Sequence, residues 1–239
     1  MTPRASKGAD ACASAKDDEA EQAIIDAWSR DGAAWTRVVR EGRIESRRLV
    51  TDAAIIDCIL AESPRRVLDI GCGEGWLARE LARHGIEVDG VDADAGLVER
   101  AREGGGGNFS VASYAAIAAG TITRRYDVCA CNFSLIGARS VDDLVDAVPA
   151  LLEPRGALIV QTLHPLAAGD GQAYRDGWRR GSWAGIDGDF GDPAPWYFRT
   201  LESWIDLLAR GGLVVTALHE PAHPHSGRPA SLIMVARSG

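Results

Sequence analysis

The chain lacks several features that would have declared its class at once. No apolar run approaches the ~20 residues of a bilayer span, so no transmembrane helix is expected. Positive charge is in deficit: 26 Lys and Arg stand against 34 Asp and Glu, a net charge of −8. That balance offers no basic footprint for nucleic acid or an anionic membrane. The N-terminus has no charged-then-apolar secretory pattern. The five cysteines, at 12, 58, 72, 129 and 131, show neither a disulfide framework nor zinc spacing. Cys129 and Cys131 lie two apart on a predicted strand and should fill core on one face. A reduced, cytoplasmic protein is the simplest reading.

What is present is a 239-residue chain that is 46% apolar, enough for one large domain with a core. The most informative stretch is Val67-Leu68-Asp69-Ile70-Gly71-Cys72-Gly73-Glu74-Gly75-Trp76-Leu77. Apolar residues running into Asp69 and Ile70 read as a buried strand. Glycines at alternate positions then give way to a helical pattern. Strand, glycine turn and helix form the nucleoside- or phosphate-binding corner of an open α/β sheet. A dinucleotide fold wants Gly-x-Gly-x-x-Gly, with pyrophosphate on the helix N-terminus. Here the third glycine comes one residue early, at Gly75, and Trp76 fills the last position. Asp69, just before the first glycine, would repel a pyrophosphate and suit an ammonium group. Asp92 ends the next strand at the spacing of a carboxylate that holds ribose hydroxyls. Ribose hydroxyls, a cationic tail and no phosphate fit S-adenosylmethionine better than NAD.

These residues, Val67 to Gly75 with Val88 to Asp92, resemble motifs I and II of the class I S-adenosylmethionine-dependent methyltransferases. The likeness runs from about Ile24 to Arg237 and is to the small bacterial type, similar to ubiquinone-biosynthesis-like enzymes. It implies a Rossmann-like three-layer α/β/α sandwich. The sheet would be seven-stranded and mostly parallel, in order 3-2-1-4-5-7-6, with N-terminal cap helices. It also implies S-adenosylmethionine as cofactor, S-adenosylhomocysteine as product, and a cofactor site at Asp69, Gly71, Cys72, Gly73, Gly75, Trp76, Asp92, Ala93, Ser113, Tyr114, Asn132 and Phe133. The family commonly carries an acid after strand three that binds the adenine amino group. This chain has Ser113 there, with Tyr114 beside it either packing on adenine or serving the structure.

Residues 1–18 are small, polar and without periodicity, and read as a disordered tail. Residues 19–62 read as N-terminal helices: two short ones broken at Asp31-Gly32, then an amphipathic helix over 47–60. The first two either pack on the sheet or cap the site, and the resemblance favours a cap with Trp28 and Trp35 near ligand. Residues 63–239 read as the catalytic domain. Asn132 and Ser134 follow strand four, where they can touch the methionine part of the cofactor or the substrate. His164 ends strand five, as a general base or as a strand-end residue bonded to backbone. Residues 166–198 lack clear elements and carry Trp178, Trp183 and Trp196 among glycines, which suits a lid over the acceptor. Tyr197 and Arg199 follow, at the substrate pocket by resemblance. His219, His223 and His225, with Glu220, lie in a proline-rich loop without an evident rigid frame, so no metal is expected.

The chemistry expected is in-line methyl transfer to an O or N atom of a small-molecule acceptor, by a monomer or homodimer. No covalent nucleophile is needed. His164, with Tyr197 beside the acceptor, is the catalytic candidate. The rivals are a nicotinamide oxidoreductase and a non-catalytic cofactor-binding protein.

Overall fold

The structure, a computed structural model, describes residues 7–168 and 171–239. Its centre is a strand with no exposed face. In β1 (Arg66–Ile70), Val67, Leu68, Asp69 and Ile70 are all buried. Such strands occur in parallel sheets covered on both sides. β1 pairs in parallel with β2 (Glu87–Asp92) and β4 (Tyr126–Asn132). β3 (Asn108–Val111) and β5 (Leu152–Thr162) continue the parallel set outward. β9 (Leu232–Ser238) joins β5 antiparallel and β8 (Leu213–His219) joins β9 antiparallel. The order β3-β2-β1-β4-β5-β9-β8 is the expected one, with two small strands inserted before the closing hairpin.

Alternation along the strands sends side chains to two cores. On one face α2 (Asp52–Ala61), α3 (Trp76–Arg83) and α4 (Ala95–Gly104) bury Ile55, Ile59, Leu77, Leu81 and Val98 against Val67, Val128 and Ile159. On the other, α5 (Tyr114–Ala118), α6 (Arg139–Leu151) and α7 (Leu201–Arg210) bury Ile117, Leu144, Val148 and Trp204 against Leu68, Cys129, Cys131 and Leu158. Among the described residues no helix is long and apolar enough to cross a membrane.

Three local expectations are corrected. The N-terminal region is one helix, α1 (Lys7–Arg40), rather than a tail and two short helices. It takes in residues 7–18 of the expected tail; residues 1–6 lie outside the described residues. Asp31-Gly32 does not break it, because both residues are held from outside. The buried Asp31 carboxylate accepts from Arg30 and from the Gly191 N–H, and Gly32 lies against Leu97. These contacts outweigh the ~1 kcal/mol that glycine costs inside a helix. Second, the helix over 47–60 begins as a π turn, Arg47–Thr51, before continuing as α2. Third, residues 166–198 contain a two-stranded antiparallel ribbon, β6 (Gly177–Arg179) with β7 (Trp196–Phe198). Within β5, residues 153–156 form a register slip against β4, with Arg155 at φ +74°.

Candidate functional site

The loop after β1 is folded back on β2: Gly71 N–H and Cys72 N–H both donate to Val91 O, at 2.7 and 3.0 Å. Gly71, Gly73 and Gly75 all have positive φ, at +76°, +56° and +82°. Their surroundings separate their roles. A Cβ on Gly71 would overlap Ser134, and one on Gly75 would press on Ala101 and Phe109 at 3.0 Å. At Gly73 the nearest atom would be Trp35 Nε1, at 3.9 Å. Gly71 and Gly75 are therefore glycine for packing. Gly73 is glycine at an open surface, where a ligand can lie on the backbone.

Asp69 lies directly below, 1% exposed, with Oδ2 buried and unpartnered. Burial, and next the charge of Asp92, push its carboxyl up to about 7. A buried carboxylate without a donor is costly, and an ammonium group arriving there would supply what it lacks. Asp92 Oδ2 accepts from Gly73 N–H and Oδ1 from Asp94 N–H, both at 2.9 Å. The carboxylate thus braces the loop while keeping lone pairs for hydroxyls. Ala93 beside it is exposed. Asp94 caps α4, accepting from Leu97 N–H.

The other predicted cofactor residues divide. Asn132 ends β4 with a buried, unpartnered Oδ1. Phe133 has φ +54° and its N–H donates to Gln161 O at 2.7 Å, so β4 ends in a strained turn. Others have their side chains engaged within the protein. The Ser134 hydroxyl donates to Ile70 O at 2.7 Å, and its carbonyl accepts from Tyr114 OH at 2.9 Å. Tyr114 is thereby committed under the loop. Ser113 caps α5, accepting from Ala116 N–H. Cys72 is buried beneath the loop and Trp76 is turned under the Arg47 guanidinium at 4.4 Å, facing a cavity of about 330 Å³ shared with Arg40 and Arg79. Cys72 can therefore meet a ligand only through its backbone.

Sequence reasoning missed two sets of residues. Glu74 is buried within the loop, its side chain fully covered, and is held by Arg79 at 2.6 Å and by Arg40 of α1 at 2.7 Å. A charge inside a glycine loop was the available signal. The second set is a row of buried polar atoms on the α2 side of the carboxyl edge. Asn132 pairs with Gln161, which pairs with Ile233. Gln161 Oε1, Thr51 Oγ1 and Ser231 Oγ join Asp69 Oδ2 and Asn132 Oδ1 as buried atoms with no partner. Gln161 Nε2 donates to Thr51 O at 3.1 Å. Unsatisfied buried polar atoms are rare and mark strain or a ligand. No motif announces these positions, because two of them come from the π turn and the closing hairpin.

α1 forms a roof across this edge. Glu21 accepts from Ala138 N–H and Ser140 N–H at the start of α6, Ser29 donates to Asp94, and Arg40 reaches Glu74. Trp28, Trp35 and Trp183 come together, with ring centroids 5.2 to 6.4 Å apart, and Phe190 stacks on Trp183 at 4.3 Å. The remaining predicted substrate residues form a separate group. Trp178 donates to Asp17 and meets Tyr197 edge-on, and Trp196 packs on Phe198. Tyr197 and Arg199 line a groove of about 780 Å³ between α6 and α7. Arg199 is buried and donates to Gly137 O, Ala138 O and Asp142.

His164 is 4% exposed. Leu166 N–H donates to Nδ1 at 3.2 Å, so Nε2–H donates to Glu220 Oε1 at 2.7 Å. Both ring nitrogens are engaged and no lone pair is free. This geometry is that of a strand-end residue tied to a backbone amide and to Glu220, the second of the two readings its position allows. Among the described residues, side chains able to hold a metal cluster at Glu45, His223 and His225.

An open sheet in this order, an acid-glycine corner and a second acid closing β2 define a class I S-adenosylmethionine-dependent methyltransferase. The chain belongs to the methyltransferase domain family, whose model matches residues 45–218, well over half of it. It is similar to the ubiquinone biosynthesis O-methyltransferases of Burkholderia lata, 35% identical over 104 residues, and Xylella fastidiosa, 34% identical over 106 residues. These matches take in 42% and 43% of this chain and 45% and 43% of those proteins. The chain thus spans under half the length of the curated relatives it matches. In fold it is similar to the magnesium protoporphyrin IX methyltransferase of Synechocystis PCC 6803 solved with bound SAH. That match has a TM-score of 0.65 at 17% identity and covers 90% of this chain and 97% of that one.

Proposed function

We propose that this methyltransferase acts on a small polar molecule, at an oxygen or nitrogen atom that needs no strong general base. The bound cofactor supplies an activated methyl carbon and a neutral leaving group. Asp69 faces the ammonium end, Gly73 leaves room for the ligand on the backbone, and Asp92 receives ribose hydroxyls. Trp28, Trp35 and Trp183 exclude water above. The acceptor lies along Asn132, Gln161, Thr51 and Ser231, whose free atoms are hydrogen-bond acceptors or hydroxyls. With His164 committed, an amine can shed its proton to water after transfer, and an acidic hydroxyl can lose it beforehand. The relatives named for O-methylation support the second case. The same reading takes the protein as a cytoplasmic monomer or homodimer that does not act on nucleic acid or at a membrane, supported by the net charge of −8 and by Cys58, Cys72, Cys129 and Cys131 being free thiols.

The unpartnered Asp69 carboxylate carries this reading, and calorimetric titration tests it. S-adenosylmethionine and S-adenosylhomocysteine should both bind, and Asp69→Asn should weaken the pair by about tenfold or more. NAD binding in their place would revive the oxidoreductase rival. Tight binding without S-adenosylhomocysteine production across a panel of phenols, acids and amines would favour the non-catalytic one.

A further inference from the structure

The loop between β8 and β9 has a frame that its sequence conceals. Ala222 bridges Pro229, His223 N–H donates to Arg228 O at 2.8 Å, Gly227 N–H donates to His223 O at 2.8 Å, and Ala230 N–H donates to Pro221 O at 2.7 Å. This hairpin holds the rings of His223 and His225 with centroids 5.4 Å apart. Glu45, between α1 and the π turn, reaches the same place. One ligand atom from each of the three lies within 4.8 Å of the others. The absence of a frame, the reason to expect no metal, does not hold.

We propose that Glu45, His223 and His225 bind one divalent cation of the zinc type. Two imidazoles and a carboxylate are a zinc ligand set that leaves a fourth position for water. Contracting the three atoms to the ~3.3 Å edge of a tetrahedron with ~2 Å bonds takes side-chain rotation, which the exposed Glu45 and His225 permit. The ion would join two walls of the acceptor row. The hairpin carries Glu220, the partner of His164, and leads to Ser231; the Glu45 segment leads to Thr51. Its role is a clamp on that end of the site, and it stands independently of which acceptor is methylated.

The test is calorimetry of tag-free, chelator-stripped protein with zinc chloride, with melting curves alongside. One ion per chain should bind, His223→Asn and Glu45→Gln should each weaken binding by about tenfold or more, and His84→Asn should change nothing. Zinc should raise the melting temperature of the wild type and of His84→Asn only. No heat of binding, or equal affinity in the wild type and Glu45→Gln, would overturn the site.

Discussion

The glycine corner and the roof above it are both needed to enclose a ligand, yet they are built by different rules. The corner comes from two short runs, residues 67–77 and 88–94, and most constraints in it are local: a left-handed glycine, a cap, a strand end; Ser134 and Arg40 are the distant exceptions. The roof joins α1 to residues some 160 positions away, as when Gly191 N–H donates to Asp31 or Trp178 donates to Asp17. The corner is therefore set by backbone conformation, and the roof by side-chain packing between distant segments.

The sharpest break in that comparison lies within the corner. Gly71→Ala forces a Cβ into Ser134 at φ +76°, and should cost about 3 kcal/mol or more from overpacking and left-handed strain together. Gly73→Ala meets only Trp35 Nε1, at an ordinary contact distance of 3.9 Å, so it should cost about 1–2 kcal/mol while still losing most cofactor affinity. Denaturant melts and calorimetry on the two variants separate the roles. Equal destabilisation would mean that Gly73 is also a packing glycine.

Next in size is a pH effect. Asp69 holds its proton to about 7, well above the 3.8 of an ordinary aspartate. The ligand-free folded state therefore binds more protons than the unfolded chain between those values. Stability from this group is present below about pH 4 and is lost as pH rises to about 7, on the order of a few kcal/mol. Asp69→Asn should flatten that part of the melting-temperature profile between pH 5 and 7.5. Cofactor binding to the wild type should tighten over the same range, because an ammonium prefers the ionised carboxylate. A profile shared by wild type and variant would place the charge elsewhere.

This asymmetry explains what the sequence made legible. β1 with its glycines and the acids at 69 and 92 rest on spacing and local conformation, and the structure has them where periodicity put them; the strand order followed from the family resemblance. Ser134, Tyr114, Arg199 and His164 were legible in position but not in their partners. Each has its polar atoms taken up by a carbonyl, carboxylate or amide brought in by the fold, and position along the chain says nothing of partners. Thr51, Gln161 and Ser231 were invisible for a related reason. They come from a π turn, the end of β5 and the closing hairpin, and only sheet register aligns them.

The smallest expected stability effect belongs to the roof. Trp183 packs on Trp28, Trp35 and Phe190 but lies outside both cores. Trp183→Ala removes a half-buried aromatic contact worth about 1 kcal/mol, a shift of about 2–4 °C in Tm for a chain of this size. Its functional effect should be larger than that. Without Trp183, Trp35 loses the neighbour that helps hold it over Gly73, water reaches the cofactor, and KM for cofactor should rise about tenfold with kcat less affected. The Trp183→Ala and Gly71→Ala variants would then fail in opposite ways, one keeping its fold and losing its grip, the other losing the fold itself. A fall in Tm as large as that of Gly71→Ala would show that the roof is part of the folding core, and that corner and roof are a single unit.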